Sequence, residues 1–254
     1  MKVSMMRVAM AELHILPSTE ETAQAKAKFV ATLAEECLGT QGKFTIALSG
    51  GSTPRRLYQI LASPPHAETI AWDRWHIFWS DERCVPPDHQ DSNFRMARQA
   101  LLDHVPVPPA QVYRMRGEVA PEQAAREYET AVLNVFQTPV PSFDLILLGI
   151  GDDGHTASLF PGSEALRENH RLVMANLAPS PPVHRITFTL PLINAARVIA
   201  FLGTDGSKAE VLRGVLEPAP QEDVLPSATV RPTDGTAHWF LTKEAASLLR
   251  TTDA

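Results

Sequence analysis

The chain has 254 residues, of which 44% are hydrophobic and 20% are charged, and its formal net charge is −6 at pH 7. This length is near the upper limit for one domain, and we predict a single domain over residues 1–254. The basic residues are scattered and the balance is acidic, which argues against a nucleic-acid-binding face. No apolar run is long enough for a signal peptide or a membrane span, so we expect a cytoplasmic protein without membrane contacts.

Cysteines and histidines bear on metal binding. Cys37 and Cys84 have no CxxC spacing and cannot form a structural zinc site alone, so we predict two free thiols in a reducing cytosol. No HExxH or related ligand spacing occurs, which predicts that no metal is bound. His76 is expected in the core or at a strand edge. The other histidines outside the segment 149–158 are expected without partners, at strand edges, in loops or at helix ends: His14, His66, His89, His104, His170, His184 and His238.

The first half of the chain alternates between helix and strand. Ser18 and Glu21 fit a capping box before a helix whose apolar residues recur at helical spacing as far as Cys37. Strands are predicted at 43–48 and 75–80. Helices are predicted at 54–61, with Thr53 as N-cap and Pro54 at the first helical position, and at 93–105.

The second half continues the alternation. A helix is predicted over 124–136, and residues 143–150 form the most apolar strand, of the kind that is buried on both faces. Strands at 185–190 and 198–202 follow, then a helix at 207–216, and residues 239–242 lead into a final helix. This order predicts an α/β, Rossmann-like fold with a mostly parallel sheet and helices on both faces.

Four polar or glycine-rich segments follow predicted strands. They span residues 49–53, 81–83, 151–155 and 203–208. In open parallel sheets, ligands bind beyond the carboxyl ends of the strands. The four segments therefore predict one site at that edge.

The segment SGGSTP, residues 49–54, joins a strand to a helix and is a candidate anion site. Its glycines let the backbone approach a ligand, and the helix start behind it offers free N–H groups. Arg55 and Arg56 lie in the first helical turn, where the helix dipole disfavours cations unless an anion is bound. The motif is neither a Walker loop nor GxGxxG, and a plain Gly-Ser turn is the alternative. The candidate phosphate-binding residues here are Ser49, Gly50, Gly51, Ser52 and Thr53.

The segment GIGDDGHTAS, residues 149–158, holds the candidate base, His155. A glycine-dense turn places Asp152, Asp153 and this histidine beside the end of a buried strand. Neutral imidazole takes a proton from water at neutral pH, and either aspartate would orient the ring. The alternative is a loop histidine before a helix that begins at Thr156.

Two further cations, Arg83 and Lys208, and the acid Asp81 belong to the same strand ends, and a third cation, Arg185, opens the strand at 185–190. Arg83, Arg185 and Lys208 are candidate phosphate ligands, although each would also fit an exposed surface position. Asp81 is a candidate lining residue of the sugar site. No GxSxG motif occurs, which argues against a serine esterase.

Taken in this order, these segments resemble the 6-phosphogluconolactonase family. The resemblance covers residue 47 almost to the end, and DGHTASLFPG is its most specific part. The matching stretches are ALSGGSTPRRLY (47–58), FWSDERCVPPDHQDSNFRMARQALL (78–102), FDLILLGIGDDGHTASLFPGS (143–163), RITFTLPLIN (185–194), GTDGSKAEVL (203–212) and LPSATVRPTDGTAHWFL (225–241).

The resemblance implies a single 6-phosphogluconolactonase-like domain whose fold is that of the related glucosamine-6-phosphate deaminases. It implies hydrolysis of 6-phospho-D-glucono-1,5-lactone in the pentose phosphate route, without cofactor or metal. His155 would be the general base, and residues 49–53, Arg83, Arg185 and Lys208 would hold the phosphate. Whether Asp152 or Asp153 partners the histidine stays open.

Two alternatives use the same phosphate contacts. A glucosamine-6-phosphate deaminase would abstract a C2 proton with Asp81 and open the ring through His155. That enzyme needs an acid shortly after the histidine segment, and Glu164 follows an FPGS turn that matches the lactonases. A non-enzymatic sugar-phosphate sensor would need a readout module, for which the chain has no room.

Overall fold

The computed structural model describes residues 11–219 and 223–250. The strands in this part of the chain are β1 (Ala11–Leu16), β2 (Phe44–Leu48), β3 (Trp75–Trp79), β4 (Asp81–Arg83), β5 (Leu145–Leu148), β6 (Val173–Leu177), β7 (His184–Phe188), β8 (Val198–Gly203) and β9 (Thr236–Thr242). The helices are α1 (Thr19–Gln41), α2 (Ser52–Leu61), α3 (His66–Thr69), α4 (Asn93–Ala97), α5 (Pro121–Phe136), α6 (Glu164–Arg167), α7 (Leu190–Asn194) and α8 (Ala209–Leu216).

The main sheet has six parallel strands in the order β1-β9-β8-β5-β2-β3. Successive strand residues point to opposite faces, so each strand contributes to two cores. Ile146 and Leu148 face the core shared with α5 and α8, whereas Leu145 and Leu147 face the core shared with α1 and α2. The predicted parallel sheet with helices on both faces is therefore confirmed.

Helix α1 begins where the sequence predicts. The Ser18 hydroxyl accepts the Glu21 N–H at 3.2 Å and donates to the Glu21 carboxylate at 2.7 Å. The helix ends at Gly42, whose φ of 75° lies in the left-handed region and whose N–H reaches the Leu38 carbonyl at 3.1 Å. Caps at both ends fix the length of a helix that covers one face of the sheet.

A second, three-stranded sheet in the order β4-β7-β6 corrects the strand predictions. The segment predicted at 185–190 is β7, and it runs antiparallel to its neighbours instead of joining the parallel sheet. The charged segment 81–83 is itself a strand, which its lack of apolar residues concealed. Strand β1 also went unpredicted because Glu12 and His14 interrupt its apolar pattern.

Several helix boundaries differ from the prediction. Thr53 is not the N-cap, because Gly51 with φ 101° holds that position and α2 begins at Ser52. The helix predicted at 93–105 is α4 followed by a wider π-helical turn, Arg98–Leu102. No helix begins at Thr156, and residues 243–248 form turns where a final helix was expected. None of the helices within residues 11–219 and 223–250 combines the length and the apolar composition that a bilayer-spanning segment needs.

Candidate active site

The histidine segment forms a tight turn at the carboxyl end of β5. The Gly151 N–H donates to the His155 carbonyl at 2.9 Å, and the Gly154 N–H donates to the Gly151 carbonyl at 3.1 Å. A Cβ on Gly151 would lie 2.0 Å from the imidazole Nδ1, and Gly154 has a φ of 74°. Glycine is therefore required at both positions to place the histidine.

The imidazole of His155 is paired with Asp153. Its Nδ1 lies 2.5 Å from the Asp153 carboxylate, which also accepts the His155 backbone N–H at 3.1 Å. The carboxylate fixes the tautomer that carries the proton on Nδ1 and leaves Nε2 as the free basic nitrogen. The ring packs against Phe160 at 4.6 Å between centroids, and its side chain stays one-third exposed.

Asp153 stays ionised in this pair. Burial works to raise the pKa of its carboxyl group, but the hydrogen bonds from the His155 side chain and backbone N–H outweigh burial. The pKa of Asp153 therefore lies below its ordinary value. A carboxylate that is charged throughout the neutral range stabilises an imidazolium on its neighbour.

The second aspartate has a different partner. The exposed Asp152 carboxylate contacts the ammonium group of Lys208, which is mostly buried. Lys208 lies just after β8, in a turn whose start is capped by Asp205 accepting the Ser207 N–H at 2.9 Å. The two acids that the sequence could not distinguish thus have two different partners, an imidazole for Asp153 and an ammonium group for Asp152.

The loop 49–53 presents an uncapped helix start. The Tyr58 hydroxyl binds both the N–H and the carbonyl of Ser49, at 3.0 and 2.8 Å, and so fixes the loop to the helix behind it. Helix α2 has no side-chain hydrogen bond at its N-terminus. Its first N–H groups are therefore available to an anion.

Arg56 does not indicate a bound anion, contrary to the expectation from its place in the first turn of α2. Its guanidinium forms two hydrogen bonds to Glu20 on α1, both at 2.7 Å. The Glu20 carboxylate offsets the unfavourable effect of the helix dipole on Arg56, so no bound anion is needed to explain this cation. Arg55 is exposed and lines neither of the cavities at this edge.

Arg83 and Arg185 lie directly opposite each other on β4 and β7. The Arg83 guanidinium donates to the Asp91 carbonyl at 2.7 Å. Arg185 is buried, and within the described part of the chain its Nη1 has no hydrogen-bond partner. Burial and the neighbouring Arg83 lower the pKa of the Arg185 guanidinium. Two adjacent cations with an unmatched donor favour an anionic ligand.

Asp81 is held in place by residues that the sequence did not indicate. Its carboxylate accepts the Ser158 hydroxyl at 2.7 Å and the Asn93 amide at 3.3 Å. Asn93 also excludes any side chain at residue 50, since a Cβ on Gly50 would lie 1.9 Å from its amide oxygen. No local sequence signal identifies these contacts, because the partners are separated by up to 77 positions.

These groups surround one crevice with two lobes. The loop lobe, a cavity of about 350 Å³, is lined by residues 49–54 together with Lys26, Leu147, Leu202 and Lys208. The arginine lobe, about 320 Å³, is lined by Asp153, Ser158, Phe160 and Arg185. Asp81, Arg83, His155 and Ala157 line both. The structure thus brings all the predicted site residues to one edge but divides the predicted phosphate ligands between two lobes.

A separate group of side chains lies on β1 and β9. His14 Nε2 is 3.1 Å from His238 Nδ1, and Glu12 Oε2 is 3.5 Å from the same nitrogen. The expectation that these two histidines lack partners is therefore wrong. The three donor atoms lie within 4.8 Å of one another, so they have the composition of a metal-ligand set. They lie outside both lobes.

A parallel sheet with a histidine–aspartate pair and an anion-ready helix start at its carboxyl edge defines a Rossmann-like α/β protein with a small-molecule site. The chain belongs to the family described as glucosamine-6-phosphate isomerases/6-phosphogluconolactonase, which matches residues 17–239. A 6-phosphogluconolactonase from Synechocystis sp. is 43% identical over 225 residues, which cover 87% of this chain and 91% of that protein.

Solved structures agree with this assignment. The chain resembles the 6-phosphogluconolactonase from Trypanosoma cruzi with a TM-score of 0.84 and 34% identity, covering 94% of this chain and 97% of that one. A monomeric glucosamine-6-phosphate deaminase matches with a TM-score of 0.78 at 23% identity, covering 93% and 99%. The second likeness concerns the fold alone, and it confirms the predicted deaminase-like architecture.

Proposed function

We propose that the protein hydrolyses 6-phospho-D-glucono-1,5-lactone to 6-phospho-D-gluconate, the oxidative-branch step of the pentose phosphate pathway. The observation that carries the proposal is the pair of Asp153 and His155 in the crevice. Asp153 occupies Nδ1, so Nε2 is the nitrogen that can accept a proton from water. The family assignment and the lactonase relatives support the same reaction.

Substrate binding places the phosphate away from the reacting carbon. Residues 49–53, at the start of α2, and Lys208 supply N–H groups and a positive charge in the loop lobe. Arg83 and Arg185 add guanidinium groups on the arginine-lobe side. Positioning is the main requirement, because a six-membered lactone already hydrolyses slowly in water and needs only a modest acceleration.

The chemical step requires a base and then an acid. His155 Nε2 takes a proton as water attacks the lactone carbonyl carbon, and backbone N–H groups stabilise the oxyanion of the tetrahedral intermediate. The intermediate collapses, the bond to the ring oxygen breaks, and the imidazolium returns its proton to that oxygen. Asp153 stabilises the charged ring between these steps. Asp81, held by Ser158, lines the sugar site, and the reaction needs no metal or cofactor.

The deaminase alternative has no specific observation in its favour. It requires an acid shortly after the histidine segment, but Glu164, the acid at that place, is exposed on α6 and lines neither lobe. Asp81, its candidate base, is already bound by a hydroxyl and an amide. We also propose a cytoplasmic location, which the unpaired thiols of Cys37 and Cys84 support.

A product assay on the purified protein tests the proposal. We expect acid release from freshly prepared 6-phosphogluconolactone well above an enzyme-free blank, and no ammonia from glucosamine 6-phosphate. Ammonia release without lactone hydrolysis would assign the deaminase reaction instead. If neither product forms while the sugar phosphate binds, the sensor alternative is correct.

A further inference from the structure

Lys26 is a charged residue in the interior of the protein. It lies on α1 and is 1% exposed, and its Nζ donates to the carbonyl of Ala200 on β8 at 3.0 Å. An ammonium group has three donors. Within the described residues, no carboxylate forms an ion pair with it.

Lys26 lines the loop lobe of the crevice. Leu147, Leu202, residues 49–53 and Lys208 line the same cavity. On the core side, the ammonium group lies over the face of the Phe240 ring, with Nζ 5.8 Å from the ring centroid, which is a cation–π contact. An aromatic ring carries no net charge, so the ammonium group still lacks an anionic partner among the described residues.

A buried, unpaired ammonium group is unfavourable for folding. Burial lowers the pKa of Lys26 to about 7, because the low-polarity interior disfavours its charged form. A methionine or leucine would pack in the same space without that cost. The position therefore favours an anionic ligand in the cavity that Lys26 lines.

We propose that Lys26 is a phosphate ligand, and that the phosphate group of the substrate lies in the loop lobe between this ammonium group, the start of α2 and Lys208. The inference rests on the proposed function for the identity of the substrate. The arrangement of Lys26, Lys208 and the start of α2 calls only for a phosphate group, whichever molecule carries it. Lys26 and Lys208, two cations that line one cavity, would together select a phosphorylated lactone over an unphosphorylated one.

Lys26→Met tests the proposal against Lys28→Met, a matched change of an exposed lysine on the same helix. We expect Lys26→Met to raise KM for 6-phosphogluconolactone tenfold or more, since charge-assisted phosphate contacts are worth about 1.5–3 kcal/mol. Its kcat and its hydrolysis of unphosphorylated glucono-1,5-lactone should stay within a few-fold of wild type. Lys28→Met should leave all three parameters unchanged.

Binding of inorganic phosphate provides a readout that needs no catalysis. Phosphate should raise the melting temperature of the wild type and of Lys28→Met, and this rise should shrink or vanish in Lys26→Met and in Lys26→Gln. If phosphate no longer raises the melting temperature of the Lys26 variants, Lys26 is supported as a phosphate ligand even if the lactone is not the substrate. An unchanged KM together with an unchanged phosphate effect would overturn the inference while leaving the proposed function intact.

Discussion

At the scale of single residues, the site depends on which aspartate pairs with His155 and which with Lys208. Asp153 orients His155, whereas Asp152 contacts Lys208 from an exposed position. Asp152 thus contacts the lysine that we assign to the phosphate. A phosphate dianion held also by the start of α2 competes well with one exposed carboxylate, because surface ion pairs contribute about 0–1 kcal/mol.

Lys208→Met should therefore weaken substrate binding without changing the chemical step. We expect KM for the phosphorylated lactone to rise roughly tenfold or more, with kcat nearly unchanged, because the lysine contacts the distal phosphate. Steady-state kinetics over a wide range of lactone concentrations measure both parameters. Lys243→Met, an exposed lysine outside both lobes, is the control. An unaltered KM in Lys208→Met would mean that this lysine serves only the ion pair.

At the scale of elements, β4 positions the site by binding the start of α4. The buried Glu82 carboxylate accepts the N–H groups of Asn93 and Phe94 at 2.7 and 2.8 Å and the Ser92 hydroxyl at 3.0 Å. These bonds cap the helix that carries Asn93 to the Asp81 side chain. Strand β4, which the sequence did not reveal, thus aligns Asp81 and Asn93 in the crevice.

Glu82→Gln should destabilise the protein although it preserves shape. The carboxylate accepts four hydrogen bonds, including the Arg83 N–H at 2.8 Å, and an amide would direct its own donors at some of these groups. Leaving buried donors unpaired costs about 1–3 kcal/mol, so the free energy of unfolding should fall by about 2–3 kcal/mol. Urea unfolding measures the change, with the exposed Glu35→Gln as control. Equal midpoints for the two variants would contradict this role.

At the scale of the whole molecule, regular patterns were predictable and non-local contacts were not. The apolar strand that became β5 and the capped helix α1 follow from local spacing, and the site edge follows from the order of strands. The three-stranded sheet was missed because β4 has three charged residues and pairs with residues about one hundred positions away. The contacts of Lys26, Ser158 and Asn93 depend on the same long-range packing.

Most predicted site residues came together because their segments follow the neighbouring parallel strands β8, β5, β2 and β3. Arg185 reaches the site differently, through the antiparallel pairing of β7 with β4. Their distribution between two lobes could not be predicted, since it depends on how far each side chain extends from the sheet edge. The same holds for His14 and His238, which meet because β1 and β9 pair in register. Sequence patterns place residues at an edge, and packing decides which of them share a cavity.

The most direct test of the account is the rate of His155→Asn. Asparagine keeps a polar group of similar size but cannot take a proton from water. Since base catalysis typically contributes about 10²–10⁴-fold, kcat should fall by that factor while KM changes little. His104→Asn, an exposed histidine outside both lobes, should retain wild-type kinetics, and each rate needs an enzyme-free blank. A folded His155→Asn protein with near wild-type kcat would contradict the account and would leave Asp81 as the next candidate for the base.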